Sequence, residues 1–171
     1  MIKNTPCYLL LGTNLGDKNH NLQTAKTSIE EKLGTIEITS SVYLSEAWGD
    51  TNQDSFLNQV VKLNVPFSAR EVLETCLQIE RQMGRVREKK WGSRLIDIDI
   101  LYFGDLVNEE SDLVIPHPEI QNRRFTLVPL VELDANFVHP KLARTNAELL
   151  QSCKDELLVE PVTNQISYQS S

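Results

Sequence analysis

Two aspartates separated by one residue lie in a β-prone stretch of the sequence. Asp97 and Asp99 alternate with isoleucines in the segment 95–103, Leu-Ile-Asp-Ile-Asp-Ile-Leu-Tyr-Phe. Alternate side chains of a strand share a face, so the two Cα atoms are expected about 6.6 Å apart with both carboxylates on one side. Carboxylate oxygens bind hard divalent cations, and such a pair could hold two of them. An edge strand with two solvated carboxylates is the alternative.

A cationic segment leads directly into this strand. Residues 81–94 contain six basic side chains and one acidic one, although the whole chain has a net charge of −7. Arginines bind phosphate oxygens bidentately and metal ions bridge them, so the combination favours a polyphosphate ligand. The segment 12–16, Gly-Thr-Asn-Leu-Gly, matches no phosphate-binding glycine loop, so side chains and metals would have to hold the phosphates. A solvated run of charges is the alternative explanation.

The segment 56–65 is predicted to be a strand with a second kind of site. Leu57, Val61, Leu63 and Val65 form one apolar face, which leaves Phe56 and Asn58 on the face opposite. An aromatic ring beside an amide suits a flat heteroaromatic ligand, which needs stacking together with a paired donor and acceptor. A ring that only covers a loop would give the same pattern.

A histidine between two prolines is a further candidate ligand residue. His117 lies in the segment Pro-His-Pro, which is held extended, and the run Arg123-Arg-Phe125 follows shortly. This setting favours a ligand-facing imidazole, whereas a lone histidine is more often structural. His20 and His139 have no comparable context and are expected to be bystanders.

The elements that position these residues follow from periodicity. Strands are predicted over 7–11, 36–44, 56–65 and 95–103, and helices from Asp17 to Gly34 and from Ser68 to Gly84, the second with a Ser-x-x-Glu capping box. The order β-α-β-β-α-β predicts an α+β, ferredoxin-like antiparallel sheet with both helices on one face and the other face open. Ile96, Ile98, Ile100 and Tyr102 should face the helices, which leaves both aspartates on the open face.

The remaining sequence predicts smaller features. A short return strand is expected near 106–107, short helical and extended pieces after Pro116, and a helix near 146–152. We interpret residues 1–160 as a single domain and 161–171 as a polar tail whose composition is compatible with disorder.

Composition narrows the class of protein. The chain has 171 residues, 40% of them hydrophobic, with a net charge of −7, which argues against a general nucleic-acid or anionic-membrane binder. Its apolar runs are far shorter than the ~20 residues of a membrane span. Three cysteines without a CxxC spacing indicate neither a disulfide framework nor a zinc site, so a cytoplasmic location is expected.

These residues together resemble the 6-hydroxymethyl-7,8-dihydropterin pyrophosphokinase family. The segment Lys90-Trp-Gly-Ser-Arg-Leu-Ile-Asp-Ile-Asp-Ile-Leu101 is similar to the family's signature. The resemblance covers about residues 7–140 and also includes 12–16, Phe56-Leu-Asn58, Gly84-Arg-Val-Arg87, Pro116-His-Pro118, Arg124-Phe125 and Leu127-Val-Pro-Leu130. It implies the ferredoxin-like fold that periodicity also predicts.

The resemblance implies a reaction and a set of roles. ATP would donate its β,γ-pyrophosphate to the hydroxymethyl group of the dihydropterin and release AMP, a step of folate biosynthesis. Separately, we expect the chain to act as a monomer. Asp97 and Asp99 would bind two Mg²⁺ ions with ATP and would be catalytic together with Arg85 and Arg94. The resemblance further implies that ATP is contacted by Arg85, Arg94, His117 and Arg123, and that a mobile loop carrying Arg87 and Trp91 closes over it. It also implies that the pterin ring is stacked between Phe56 and Phe125. Asn58 and groups near Ser45 and Trp48 would make the other pterin contacts.

Some positions depart from the family pattern. Ser93 and Leu95 replace a frequent proline and threonine, and the loop between Arg87 and Trp91 is one residue shorter than in some members. Asp112 stands where some members have a basic residue near the nucleotide, so that contact with ATP should be absent.

Two alternative functions remain compatible with the residues. One is an ordinary kinase or nucleotidyltransferase acting on another small heteroaromatic alcohol, which would differ in its nucleotide product. The other is a non-catalytic regulatory module that binds a metabolite without turnover.

Overall fold

An antiparallel sheet organises the chain in the computed structural model, which describes residues 3–47, 54–84 and 95–163. The strands are β1 (Thr5–Thr13), β2 (Ile36–Thr39), β3 (Tyr43–Ser45), β4 (Phe56–Val65), β5 (Asp97–Phe103), β6 (Asn108–Glu110), β7 (Leu113–Ile115) and β8 (Val159–Pro161). Strand order is β5-β1-β4-β3-β8, and β2 pairs with β4 further along the same edge as β3. The strand predicted over 36–44 is therefore two short strands that both pair with β4.

Four helices accompany the sheet in the described residues: α1 (Lys18–Lys32), α2 (Ala69–Gln82), α3 (Arg124–Asp134) and α4 (Asn146–Gln151). The Asp17 carboxylate caps α1 by accepting a hydrogen bond from the backbone N–H of His20. The predicted capping box of α2 is confirmed, because Ser68 and Glu71 bond reciprocally. No helix in these ranges is both long and apolar enough to cross a membrane.

The first core lies between the sheet and helices α1 and α2. Leu9 and Leu11 of β1 and Val61 of β4 pack there against buried residues of the two helices. The helix residues in this core are Leu22, Ala25, Ile29, Val72, Cys76 and Ile79. The periodicity of both helices therefore identifies the faces that they bury.

A second core covers part of the opposite face of the sheet. Tyr8, Leu10 and Val60 project to that face and pack against apolar residues of α3 and α4. The helix residues in this core are Leu127, Leu130 and Leu149. Helices α1 and α2 share one face as predicted, but the prediction that the other face is open is wrong where α3 and α4 cover it, and β1 is buried on both faces.

A bulge near the end of β5 changes the face of Tyr102. Tyr8 lies opposite Tyr102 but Leu9 lies opposite Ile100, so Leu101 is an extra residue on β5. Leu101 and Tyr102 both belong to the second core, whereas Ile98 and Ile100 belong to the first. The prediction that Tyr102 shares the isoleucine face is wrong. The alternation that carries Asp97 and Asp99 ends before the bulge and is unaffected.

The segments after β5 differ in detail from the predictions. Residues 106–107 are exposed and form no strand, whereas β6 and β7 pair with each other as a separate hairpin. The Ile115–Pro116 peptide bond is cis, and the backbone N–H of His117 donates to the carbonyl of Leu101 at 3.0 Å. Strand β8 pairs with β3 and spans the boundary that we placed between residues 160 and 161.

Candidate active site

The sheet register brings the carboxylates and the candidate amide onto one face. Gly12 of β1 lies opposite Asp97 of β5 on one side and opposite Asn58 of β4 on the other. Directly paired residues of antiparallel strands project to the same face, and two strand spacings amount to about 10 Å. Asp97 and Asn58 therefore project to the same face of the sheet, with a glycine between them.

Asp97 and Asp99 suit a cation that is bound together with a phosphate ligand. Both are partly exposed, and the side chain of Asp99 is 29% exposed. No group of three or more histidine, cysteine, aspartate or glutamate side chains meets as a metal cluster in the part of the chain described. Mg²⁺ commonly takes one or two carboxylates and completes its octahedron with water and substrate phosphates. The two aspartates thus fit Mg²⁺ better than a metal held by protein ligands alone.

His117 lies beside the aspartates in its neutral form. Burial, and to a smaller extent the charge of Arg123, lower the pKa of His117 to about 4 against the opposing effect of Asp97 and Glu119. Its Nδ1 accepts a hydrogen bond from the backbone N–H of Glu119 at 3.1 Å, so the proton of the neutral ring is on Nε2. Nε2 lies 4.0 Å from Oδ2 of Asp99. His117 therefore presents an N–H donor at the carboxylate pair.

Arg123 and Phe125 lie at the beginning of α3. The guanidinium carbon of Arg123 lies 5.7 Å from the centroid of the Phe125 ring, which is a cation–π distance. Phe125 is partly buried against the second core. The beginning of α3 thus combines a cation with an aromatic ring.

Asn58 is held in place by Ser45. Its Nδ2 donates to Oγ of Ser45 at 2.7 Å, and both residues are only 2% exposed. Ser45 lies opposite Phe56 in the β3–β4 ladder. The hydroxyl orients the amide, whereas the resemblance implied only contacts from the backbone near Ser45.

The structure leaves five of the expected site residues undescribed. These residues are Trp48 and, in the cationic segment, Arg85, Arg87, Trp91 and Arg94, and all five lie outside the described residues. The strand that follows that segment, β5, is described from its first residue.

Glu80 is a site-supporting residue that the sequence did not reveal. It is 3% exposed on α2, and its Oε2 accepts a hydrogen bond from the backbone N–H of Ile98 at 2.8 Å. This amide lies between Asp97 and Asp99 in the chain. The sequence contained one indication of this role, because Glu80 follows Ile79 on the buried face of α2. A buried carboxylate requires a hydrogen-bond donor from a neighbouring element.

Comparison with known proteins identifies the family. The sequence model of the 7,8-dihydro-6-hydroxymethylpterin-pyrophosphokinase (HPPK) family matches residues 8–135. The 2-amino-4-hydroxy-6-hydroxymethyldihydropteridine pyrophosphokinase of Synechocystis is 40% identical over 142 residues, which cover 82% of this chain and 72% of that protein. The protein of the same name from Methylorubrum extorquens is 43% identical over 136 residues, covering 78% and 85%.

Solved structures show the same fold. A crystal structure of Plasmodium falciparum HPPK-DHPS, wild type with pteroate, superimposes with a TM-score of 0.71 at 18% identity, covering 87% of this chain. The wild-type structure gives 0.69 at 19% identity and the same coverage. This chain spans 44% of each of those longer chains. On the family match and the two bacterial relatives, the chain belongs to the 7,8-dihydro-6-hydroxymethylpterin-pyrophosphokinase family.

Proposed function

We propose that this chain transfers the β,γ-pyrophosphate of ATP to the hydroxymethyl group of 6-hydroxymethyl-7,8-dihydropterin, giving AMP and the dihydropterin diphosphate for folate biosynthesis. The observation that carries the proposal is the shared sheet face. Asp97 lies in register with Asn58, with the single strand β1 between them, in a chain that belongs to this family. The metal–phosphate site at Asp97 and the ring site at Asn58 are then close enough for the arm of a ring-bound pterin to reach the phosphates.

The ring site is formed by β4, β3 and α3. Phe56 and Phe125 stack on the two faces of the pterin, and Asn58 bonds its edge through the amide that Ser45 orients. Trp48 completes the same pocket. A carboxamide offers both a donor and an acceptor, which matches the paired acceptor and donor of a pterin edge.

The phosphate site is formed by β5 and the segment 115–123. Asp97 and Asp99 would hold two Mg²⁺ ions together with ATP, and the bound ions would supply charge neutralisation at the phosphate oxygens. His117 donates its Nε2–H to a phosphate oxygen, and Arg123 supplies a cation beside it. Arg85, Arg87, Trp91 and Arg94 add the remaining ATP contacts, with Arg85 and Arg94 acting in catalysis.

Positioning and charge neutralisation account for most of the catalysis. The hydroxymethyl oxygen attacks the β-phosphorus of ATP in line, the bond from that phosphorus to the α,β-bridging oxygen breaks, and AMP leaves. The alcohol proton is lost in this step, and Asp97, the member of the carboxylate pair that lies in register with Asn58, could accept it.

The topology supports the ferredoxin-like assignment. The order β5-β1-β4-β3 is that of a β-α-β-β-α-β unit when β2 and β3 are counted as one interrupted strand. In this proposal residues 1–160 form a single catalytic domain that acts as a monomer, and α3, α4 and β8 are additions to its β-α-β-β-α-β unit.

A nucleotide assay tests the proposal. The protein is incubated with ATP, Mg²⁺ and 6-hydroxymethyl-7,8-dihydropterin, and the nucleotides are separated. AMP should form in step with pterin diphosphate, and Asp97→Ala should abolish it, whereas Asp105→Ala, at an exposed turn after β5, should not. ADP would show an ordinary kinase instead. Binding of both substrates without turnover would indicate a regulatory protein.

A further inference from the structure

Gly12 occupies a central place in the candidate site. It lies in β1 and is the residue in register between Asp97 on β5 and Asn58 on β4. A substrate that reaches from the ring site to the carboxylates must cross β1 at this residue. No side chain projects from the sheet there.

The backbone of Gly12 does not require glycine. The other glycines in the described ranges all have positive φ, which favours glycine at each of them: Gly16, Gly34, Gly84 and Gly104. Gly12 lies in a regular strand without a positive φ. Glycine in the interior of a strand destabilises it relative to alanine, and its presence often marks a close approach by a ligand.

Packing does not require glycine at this position either. A Cβ added to Gly12 would meet Oδ1 of Asn58 at 3.4 Å and Cδ1 of Phe56 at 3.8 Å, which are ordinary van der Waals contacts. Alanine therefore fits the protein itself. Both atoms belong to the residues assigned to the pterin ring, Asn58 and Phe56.

We propose that Gly12 determines substrate specificity by leaving room for the one-carbon arm of the pterin. The arm lies flat across β1 on the bare backbone, so that its hydroxyl reaches the phosphate site while the ring stays on Asn58 and Phe56. The class of ligand is a bicyclic heteroaromatic ring with a short hydroxylated arm. This inference rests on the proposed function. It adds a residue that contributes by having no side chain and makes no side-chain hydrogen bond or metal contact.

The test compares Gly12→Ala with Gly104→Ala. Gly104 has φ +54° and a Cβ there would lie 3.0 Å from Cγ2 of Thr5, so its alanine variant should lower Tm and leave substrate KM unchanged. Gly12→Ala should keep Tm and the KM for ATP, while the KM for 6-hydroxymethyl-7,8-dihydropterin rises on the order of tenfold. Binding of a pterin without a substituent at C6, measured by fluorescence quenching, should change by less than about threefold.

Each other result overturns the inference. An unchanged KM for the hydroxymethylpterin in Gly12→Ala would show that the arm does not cross Gly12. Equal losses for the substituted and unsubstituted pterins would place the obstruction at the ring. A large loss of Tm would show that packing explains the glycine. A wild-type protein that makes no AMP would instead defeat the proposed function itself, and with it this inference.

Discussion

At the scale of single residues, the site depends on side chains whose orientation is set by a neighbour. Ser45 holds the amide of Asn58, and the hydrogen bond of Glu119 to Nδ1 fixes the proton of His117 on Nε2. Neither Ser45 nor Glu119 needs to touch a substrate to matter. Their contribution is that the donors and acceptors of the site are aligned before a ligand arrives.

Asn58 is predicted to bind the pterin and not the nucleotide. Asn58→Ala should raise the KM for the pterin about tenfold or more while the KM for ATP stays unchanged, because loss of the amide leaves polar groups of the ring unpaired. Ser45→Ala should have a smaller effect, since the amide remains but is free to rotate. Steady-state kinetics with each substrate varied in turn measures both.

Asn64→Ala is the matched control for this prediction. Asn64 lies on the same strand as Asn58, at its far end, where its amide bonds the carboxylate of Glu37. Equal changes of the pterin KM in the variants of Asn58 and Asn64 would contradict the assignment.

At the scale of elements, α2 determines how β5 presents its aspartates. Ile98 lies between them, and its amide points away from β1 to the carboxylate of Glu80 near the end of α2. Helix α2, whose last turn reaches into the cationic segment, is thereby hydrogen-bonded to β5, the strand that follows that segment. The position of β5 depends on this contact as well as on its ladder with β1.

Replacement of Glu80 should separate its acceptor role from its packing role. Glu80→Ala leaves the amide of Ile98 buried without that acceptor, so the free energy of unfolding should fall by about 1–3 kcal/mol. It should also raise the KM for ATP–Mg²⁺, because the Asp97–Asp99 strand shifts. Glu80→Gln keeps a carbonyl acceptor and should recover part of both losses. Urea unfolding and ATP-dependent initial rates measure the two effects.

Glu74 provides the control on the same helix. It is exposed, and Glu74→Ala should leave both the unfolding free energy and the ATP kinetics near wild type. A Glu80→Ala variant as stable and as active as Glu74→Ala would contradict a positioning role for Glu80.

At the scale of the whole molecule, two cores hold the sheet from opposite sides. The first is formed with α1 and α2, and the second with α3 and α4. Polar groups connect the second core: the hydroxyl of Tyr102 donates to Asn146, whose own amide donates to the carbonyl of Asp134, and the hydroxyl of Tyr8 donates to the Asp134 carboxylate. The stability of the sheet face that carries Asp97 and Asn58 is therefore linked to Asn146, which lies beyond the part of the chain that the family resemblance covers.

Buried His139 should make global stability fall in acid. Burial lowers its pKa, the nearby charge of Lys141 lowers it further, and its Nδ1 accepts backbone N–H groups of Lys141 and Leu142 beside the ring of Tyr102. The unfolded chain, with a histidine pKa of about 6.5, takes up a proton that the folded chain does not. Stability is thus fully present above about pH 6.5 and is lost as pH falls toward the lower pKa of the folded state.

Urea unfolding at about pH 7.5 and about pH 5.5 measures this loss. His139→Asn should reduce the difference between the two values, whereas His20→Asn, at an exposed position on α1, should retain it. An unchanged difference in His139→Asn would show that other groups cause the acid sensitivity.

Local patterns in the sequence determined the parts of the protein that depend on neighbouring residues. Alternation predicted β4 with its observed bounds and placed Asp97 and Asp99 on one face, and the caps at Asp17 and Ser68 marked the beginnings of α1 and α2. Each of these features depends on interactions within one or two turns of chain, which residue types and spacing express directly. The family resemblance likewise depended on short motifs.

Only the tertiary structure decided what lies on the second face of the sheet and how the site is supported. The length of α3, which contains Pro129, the bulge that moves Tyr102, and the bond from Glu80 to β5 all depend on partners many residues away. A run that is apolar on both faces, as in β1, does not reveal which helices cover each face. The place of Gly12 between Asp97 and Asn58 is likewise visible only in the paired strands. Register depends on how two strands pair and cannot be derived from either strand alone.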